Sequence, residues 1–128
     1  MPRFNKRIHH IGFDHAWDGL RFAFVNHPNF KIHLVISGLV IGLGYFLDVT
    51  LVEWVLLVFA IVLGLVVEMV NTAVEAVVDL VTEEWRMSAK IAKDVASGAM
   101  LLAAIGTAVV GLMILGPGLI TFFEIIVL

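Results

Sequence analysis

Hydrophobic residues are concentrated in three long runs along the chain, and polar residues gather before the first run and between the second and third. A helix needs about 17–25 mostly apolar residues to cross a bilayer. The runs reach this length when they are extended at their ends, which predicts an all-α integral membrane fold. The expected membrane-spanning helices are about 31–48, 51–80 and 88–116.

Residues 10–27 follow a different pattern, in which large apolar side chains recur at helical spacing and charged side chains lie elsewhere around the helix. The apolar positions are Phe13, Trp17, Leu20 and Phe24. A helix of this kind buries its apolar face in a membrane surface without crossing the bilayer. We therefore expect an N-terminal amphipathic surface helix.

The third apolar run is interrupted by Gly116, Pro117 and Gly118, and the apolar segment LITFFEIIVL follows. This segment is too short to cross a bilayer. We expect residues 117–128 to form a separate tail that lies in the outer interface or packs on a neighbouring chain.

The composition agrees with a membrane protein. Of the 128 residues, 61% are hydrophobic and 15% are charged, and the mean hydropathy is +1.04. Soluble domains are about 45–50% apolar and about 25% charged. We expect a single domain, 1–128, because three spanning helices leave too little chain for a second core. The absence of cysteine excludes a disulfide framework and a cysteine nucleophile.

The basic residues fall on one side of the predicted membrane. Five precede the first apolar run and three lie between the second and third. They are Arg3, Lys6, Arg7, Arg21, Lys31, Arg86, Lys90 and Lys93. Basic residues favour cytoplasmic segments, so we expect the N-terminus and the 80–93 loop to face the cytoplasm in a multi-pass membrane protein.

Polar residues form a stripe on one face of the second spanning helix, where its apolar part ends, and another stripe lies at the start of the third. The first stripe is Glu68, Asn71, Thr72, Glu75 and Asp79, and the second is Lys90, Lys93, Asp94 and Ser97. Because each residue turns a helix by about 100°, the members of each stripe share one helix face.

These stripes have two interpretations. They could join the helices through hydrogen bonds or through ion pairs such as Glu75–Lys93. However, three carboxylates at a membrane edge are costly unless a cation or a proton is part of the design. Clustered carboxylate oxygens suit a hard ion, above all Mg²⁺, and a nearby lysine suits phosphate. The pattern alone predicts a membrane-embedded metal and phosphate site.

The sequence VEMVNTAVEAVVD at 67–79, followed by AKDVASGA at 92–99, resembles the prokaryotic diacylglycerol kinase family. These are small three-helix membrane enzymes that include the undecaprenol kinases. The resemblance covers about residues 13–115, with AWDGLR, NFKIH and LDV as further matches. It implies a homotrimeric lipid kinase with shared active sites, which moves the γ-phosphoryl group of MgATP to undecaprenol or diacylglycerol.

The resemblance also implies roles for individual residues. Glu68 matches the general base, and Glu75 matches a ligand of the Mg²⁺ that accompanies ATP. Asn71, Lys93 and Asp94 match residues that line the nucleotide site. The loop residues Glu84 and Arg86 match a segment that contacts nucleotide in relatives, although a charged loop of this length is also typical of a solvated turn.

The chain departs from the family pattern at two histidines. His27 stands where better-known members carry a second metal-ligating Glu, and imidazole is a poor Mg²⁺ ligand. His27 could instead hydrogen-bond a phosphate or a metal-bound water, or act as a surface or capping residue beside Pro28. His15 replaces an aromatic residue that lies near the nucleotide in some relatives.

Four residues are candidates for contact with the lipid substrate: Arg21, Phe30, Lys31 and Ser97. Arg21 and Lys31 could bind lipid phosphates or could simply follow the preference for basic residues on the cytoplasmic side. Packing at the interface is the alternative role for Phe30.

Two other functions fit parts of the pattern. The acidic stripe could carry protons or cations through a small ion-coupled transporter, although the acids stop near one membrane face. The protein could also be a structural subunit whose polar stripes bind other helices.

Overall fold

The structure is a computed structural model that describes residues 12–127, and these residues form four helices. The helices are α1 (Phe13–Asn26), α2 (Pro28–Phe46), α3 (Leu51–Val81) and α4 (Met87–Val127). Arg3, Lys6 and Arg7, which belong to the predicted basic group, lie outside the described residues, as do Leu128 and the first residues of the predicted surface helix.

Helices α2, α3 and α4 are each long and apolar enough to cross a membrane, which confirms the predicted number of helices that could span one. At about 1.5 Å per residue, the 19 residues of α2 measure about 28 Å, close to the thickness of the hydrocarbon core. The 31 residues of α3 and the 41 residues of α4 are considerably longer. Both helices therefore extend beyond the hydrocarbon.

Helices α3 and α4 make the most extensive interface, and α2 packs chiefly on α3. The loop 82–86 joins α3 to α4, and the turn 47–50 joins α2 to α3. We call the side of the bundle with residues 82–86 the loop end, and the side with residues 47–50 the turn end. The polar stripe of α3 lies at the loop end.

The start of α3 is set by the sequence TLVE, which forms a capping box. The Thr50 N–H donates to Glu53 Oε2 at 2.7 Å, and the Glu53 N–H donates to Thr50 Oγ1 at 3.4 Å. These bonds satisfy two backbone donors that the first turn of a helix leaves without partners. Just before this cap, Asp48 adopts a φ of 51°, and its left-handed backbone lets the chain reverse direction.

A close contact between Gly44 and Trp54 joins α2 to α3 near the turn end. A Cβ atom on Gly44 would lie 2.8 Å from Trp54 Cη2, so only glycine leaves room for the indole. The Trp54 ring also packs against Tyr45, with 4.8 Å between the ring centroids. The small residue on one helix and the large ring on the other fix how closely the two helices approach.

Helix α1 ends and α2 begins around His27. The His27 N–H donates to Ala23 O at 3.0 Å to close α1, and Pro28 occupies the first turn of α2, where its missing N–H costs nothing. Ala23 is buried, whereas most of α1 is exposed. The helix agrees with the predicted segment over 13–26, and its position on a membrane surface stays a prediction.

The expectation of a separate tail after Gly116 is wrong, because α4 continues as one helix through Pro117 to Val127. Proline removes one backbone hydrogen bond, and helices in membranes tolerate such interruptions. The Thr121 hydroxyl donates to Pro117 O at 3.1 Å and so binds a carbonyl group of this turn.

The last turns of α4 pack on the turn end of α2. A Cβ atom on Gly118 would lie 3.2 Å from Leu47 Cδ1. The rings of Phe46 and Phe122 meet edge to face with centroids 5.0 Å apart. These contacts within the chain support the continued helix.

We expect Gly44→Ala to lower the free energy of unfolding by about 1–3 kcal/mol, because the added methyl group overlaps the Trp54 ring. Gly42→Ala is the matched control, since it adds a methyl group to the same helix where no atom lies within 4 Å. The control should be neutral or slightly stabilising. Unfolding of both variants in mixed detergent and SDS, followed by circular dichroism, measures the difference. Equal stability of the two variants would show that the indole moves aside freely.

Candidate functional site

Three polar side chains are buried on the inner face of α3. Glu68 is 1% exposed, Asn71 is 6% exposed and Thr72 is 8% exposed. Among the described residues, Glu68 Oε2, Asn71 Oδ1 and Thr72 Oγ1 are buried without a hydrogen-bond partner. Burial of a polar atom without a partner costs about 1–3 kcal/mol. Three such atoms within two helical turns make this part of α3 the candidate ligand site.

Glu75 lies one turn from Asn71 and is half-buried. Asn71 Nδ2 donates to Glu75 Oε1 at 2.9 Å. Because an ionised carboxylate only accepts hydrogen bonds, the NH₂ group of Asn71 must be the part that faces it. This contact leaves the amide oxygen of Asn71 available to a ligand.

Lys93 of α4 joins the stripe of α3 at Asp79. Lys93 Nζ lies 2.5 Å from Asp79 Oδ1. The suggested Glu75–Lys93 pair is therefore not the one that forms, because Lys93 lies closer to the loop end and the carboxylate of Glu75 accepts from Asn71. The stripes of α3 and α4 therefore meet within one chain at this pair.

Two further ion pairs lie near the loop end. Lys90 pairs with Asp94 one turn along α4. Arg86 NH2 lies 3.4 Å from Glu84 Oε2 in the loop. All four side chains are more than half exposed, and exposed pairs contribute at most about 1 kcal/mol. Each of these groups can exchange its partner for a charged ligand at little cost.

The two histidines at which the chain departs from the family pattern lie on α1 and at its end. His27 is partly exposed and its ring packs near Phe22, with 5.8 Å between centroids, while His15 is exposed on α1. Within residues 12–127 no three His, Asp or Glu side chains converge as a metal site. A metal contact by His27 stays a prediction.

The four candidate lipid contacts have different environments. Arg21 is exposed on α1, and Ser97 is half-buried on α4. Lys31 Nζ donates to Val25 O at 3.2 Å, so this lysine also closes the junction between α1 and α2. Phe30 is 4% exposed, which favours a packing role for its ring.

Helix α1 reaches the site through Gly19. A Cβ atom on Gly19 would lie 4.0 Å from Met69 Cε, and Met69 follows Glu68 on α3. Helix α1 therefore packs on α3 at the residue next to Glu68, and Glu68 Oε2 has no hydrogen-bond partner on it.

Sequence reasoning did not identify a cavity of about 440 Å³ between α2, α3 and α4. His33 of α2 lines it and is half-buried. The only signal in the sequence was a histidine at the edge of an apolar run, and such a residue has no evident partner until the helices are packed.

The model of the prokaryotic diacylglycerol kinase family matches residues 14–115. The chain belongs to this family. The match confirms the resemblance on which the site residues were predicted. Together with the three apolar helices, it shows a bacterial membrane protein.

Proteins similar to this chain are named for two different lipid substrates. A diacylglycerol kinase of Synechocystis sp. is 39% identical over 87% of this chain and 64% of its own length. The undecaprenol kinase of Bacillus subtilis is 33% identical over 84% of this chain and 87% of its own length. The diacylglycerol kinase of Escherichia coli K12 is 37% identical over 71% of this chain and 75% of its own length.

We expect Glu68→Gln to raise the free energy of unfolding by about 1–3 kcal/mol at neutral pH, because it removes a buried carboxylate that lacks a partner. Glu124→Gln, which changes an exposed acid on α4, should leave stability close to unchanged. Unfolding in SDS at pH 7 compares both variants with the wild type. A less stable Glu68→Gln variant would mean that the carboxylate supports the fold rather than a ligand.

Proposed function

We propose that the protein is a lipid kinase that transfers the γ-phosphoryl group of MgATP to the hydroxyl group of a membrane lipid alcohol, either undecaprenol or diacylglycerol. The observation that carries this proposal is the buried carboxylate of Glu68, with one oxygen free of partners. Family membership supports the same activity.

Glu68 is the proposed general base. Its free oxygen accepts the proton of the lipid hydroxyl as the hydroxyl oxygen attacks the γ-phosphorus. A new O–P bond forms, the bond from the γ-phosphorus to the bridging oxygen breaks, and ADP leaves with that electron pair. The base is needed because a neutral alcohol is a weak nucleophile, and a positioned base contributes about 10²–10⁴-fold.

The position of Glu68 along α3 suits this role. Toward the turn end, the same buried face of α3 carries Gly64, Ala60 and Leu57, and toward the loop end it carries the polar stripe. A lipid hydroxyl arrives from the apolar side and ATP from the polar side, so the two substrates meet at Glu68. We propose that the loop end faces the cytoplasm, as the basic residues indicate.

The end of the polar stripe at Glu68 does not support an ion-coupled transporter. A proton or cation path would need further ionisable groups along the inner face of α3. The buried residues beyond Glu68 on that helix are apolar or glycine. A transporter would also release no ADP in the presence of a lipid alcohol.

Glu75 and Asn71 are the proposed ligands of the Mg²⁺ that accompanies ATP. The Glu75 carboxylate and the unpartnered Asn71 Oδ1 are hard oxygen donors on one helix face, and Mg²⁺ is commonly held by one or two protein oxygens together with substrate phosphates. The donor set therefore fits the ion. When bound, Mg²⁺ would neutralise phosphate charge. We propose that His27 contacts phosphate or a metal-bound water.

Lys93 is the proposed phosphate contact. Its ammonium group would stabilise the charge that develops on the transferring phosphoryl group, and Asp79 orients it through their 2.5 Å contact. We propose that Asp94, Glu84 and Arg86 bind the rest of the nucleotide by exchanging their exposed ion pairs for it, with His15 nearby on α1.

We propose further that Arg21, Lys31 and Ser97 guide the lipid at the loop end, and that the protein is a homotrimer with shared sites. Many large apolar side chains of α3 and α4 are exposed on the single chain. Lipid or neighbouring copies can cover such surfaces in a membrane.

The direct test uses the full-length protein in lipid nanodiscs with MgATP and either undecaprenol or diacylglycerol. Both ADP release and the phosphorylated lipid are measured. A lipid kinase produces the two in equal amounts. ADP release without phosphorylated lipid, or no turnover with either alcohol, would contradict the proposal.

Glu68→Gln should reduce turnover by about 10²–10⁴-fold, because the amide cannot accept the hydroxyl proton. Binding of a fluorescent ATP analogue with Mg²⁺ should persist, and the Glu124→Gln control should keep full activity. Steady-state assays at saturating lipid measure the loss. If Glu68→Gln keeps more than about a tenth of the wild-type rate, Glu68 is not the base.

Glu75→Gln should weaken Mg²⁺-dependent nucleotide binding by about tenfold or more, because an amide oxygen replaces a charged ligand. Titration of ATP-analogue binding against Mg²⁺ measures this shift. Glu124→Gln, which changes an exposed acid near the end of α4, is the control. An unchanged Mg²⁺ dependence in Glu75→Gln would remove Glu75 from the metal site.

A further inference from the structure

The cavity between α2, α3 and α4 is a long slot that follows the helices through the apolar part of the bundle. Its walls run from His33 to Leu43 on α2, from Leu57 to Gly64 on α3, and from Ala104 to Leu119 on α4. At 1.5 Å per residue, the α2 wall alone extends about 15 Å. The slot therefore has the shape of a hydrocarbon chain lying along the helices.

The walls of the slot are almost entirely apolar. Among the described residues, its polar side chains are His33, Ser37 and Thr107. The Ser37 hydroxyl donates to His33 O at 2.7 Å, and the Thr107 hydroxyl donates to Ala104 O at 3.0 Å. Both hydroxyl groups are thus occupied by carbonyl groups of their own helices, and the His33 imidazole is the remaining polar group.

Glu68 lies at the loop end of this slot. The buried residues Leu57, Ala60 and Gly64 line the slot on α3, and Glu68 is one turn beyond Gly64 on the same helix face. His33 lies beside Gly64, since a Cβ atom on Gly64 would be 3.8 Å from His33 Nδ1. The one uncommitted polar group of the slot is therefore near the proposed base.

The pairing of α3 with α4 independently places Glu68 at the loop end of the slot. The contact of Asp79 with Lys93 sets the register of these antiparallel helices. Because both helices rise equally per residue, moving from Asp79 to Glu68 along α3 corresponds to moving from Lys93 to Ala104 along α4. Ala104 is the first α4 residue of the slot wall.

We propose that the slot holds the hydrocarbon chain of the lipid substrate, and that this substrate is a single-chain alcohol of the polyprenol type. The hydroxyl group at the end of the chain would reach Glu68 beside His33. This inference rests on the proposed kinase activity and adds the substrate class to it.

One slot and one polar group favour a single-chain alcohol over diacylglycerol. Diacylglycerol carries two chains and two ester carbonyl groups beside its hydroxyl group, and each buried carbonyl would need a donor. Among the described residues that line the slot, His33 is the one side chain that could supply such a donor. A polyprenol carries no polar group except its terminal hydroxyl, so its chain can enter the slot without losing hydrogen bonds.

Gly111→Leu tests the slot, because Gly111 lines it and a Cβ atom there would meet nothing within 4 Å. The new side chain would fill the slot without a backbone clash. We expect the KM for undecaprenol to rise about tenfold or more, with the KM for MgATP unchanged. Gly106→Leu is the matched control on the same helix, since Gly106 is exposed, lies outside the slot and also has open space at its Cβ. An equal KM for undecaprenol in both variants would contradict the assignment of the slot as the site of the lipid chain.

Photolabelling of the wild-type protein gives a second readout that needs no variant. A polyprenol with a diazirine near its hydroxyl end, reconstituted in nanodiscs, should label slot residues of the loop end such as His33 or Ala104. Unlabelled undecaprenol should compete with it. Labels only on residues outside the slot would overturn the inference even if Gly111→Leu fails to fold.

Comparison of lipids in the same nanodiscs separates this inference from the proposed function. We expect kcat/KM for undecaprenol to exceed that for dioleoylglycerol by about tenfold or more. Preference for dioleoylglycerol would overturn the single-chain assignment and leave the lipid kinase intact. Turnover of neither alcohol would overturn both.

Discussion

A buried carboxylate needs hydrogen-bond partners inside the protein, and the arrangement around Glu68 is best understood from this constraint. Buried charges are costly unless they have partners, yet Oε2 of Glu68 has none among the described residues. Selection for stability alone would replace such a group. The proposed reaction, which requires a free carboxylate at the boundary between the apolar and polar halves of α3, accounts for its presence there.

The contacts that hold this group in place lie at the two ends of the bundle. At the turn end, the capping box of Thr50 and Glu53 and the contact of Gly44 with Trp54 set where α3 begins and how closely α2 approaches it. At the loop end, the pair of Asp79 and Lys93 fixes α4 against α3. Glu68 lies between these two ends, so helix packing sets its position along the bundle, and no hydrogen bond of its own side chain is needed.

The sequence predicted the parts of this structure that depend on one helix at a time. Periodicity was sufficient to predict the three spanning helices and the polar face that carries Glu68, Asn71 and Glu75, because residues three and four apart share a helix face. It could not predict which acid Lys93 meets, since that depends on the offset between two helices. It also failed at Pro117, where contacts of the following turns with α2 support a helix that local propensity would end.

The cavity beside His33 was even harder to predict from the sequence, because it depends on how three helices pack. A slot between three helices is defined by residues far apart in the chain, and no short motif records it. The function of an apolar slot is indicated by the polar groups at its ends, and here Glu68, whose Oε2 lacks a partner among the described residues, lies one helical turn beyond the loop end. A chain that entered from the bilayer would therefore have one direction in which its hydroxyl group could meet a base. The polarity of the bundle, rather than any single residue, would orient the lipid for reaction.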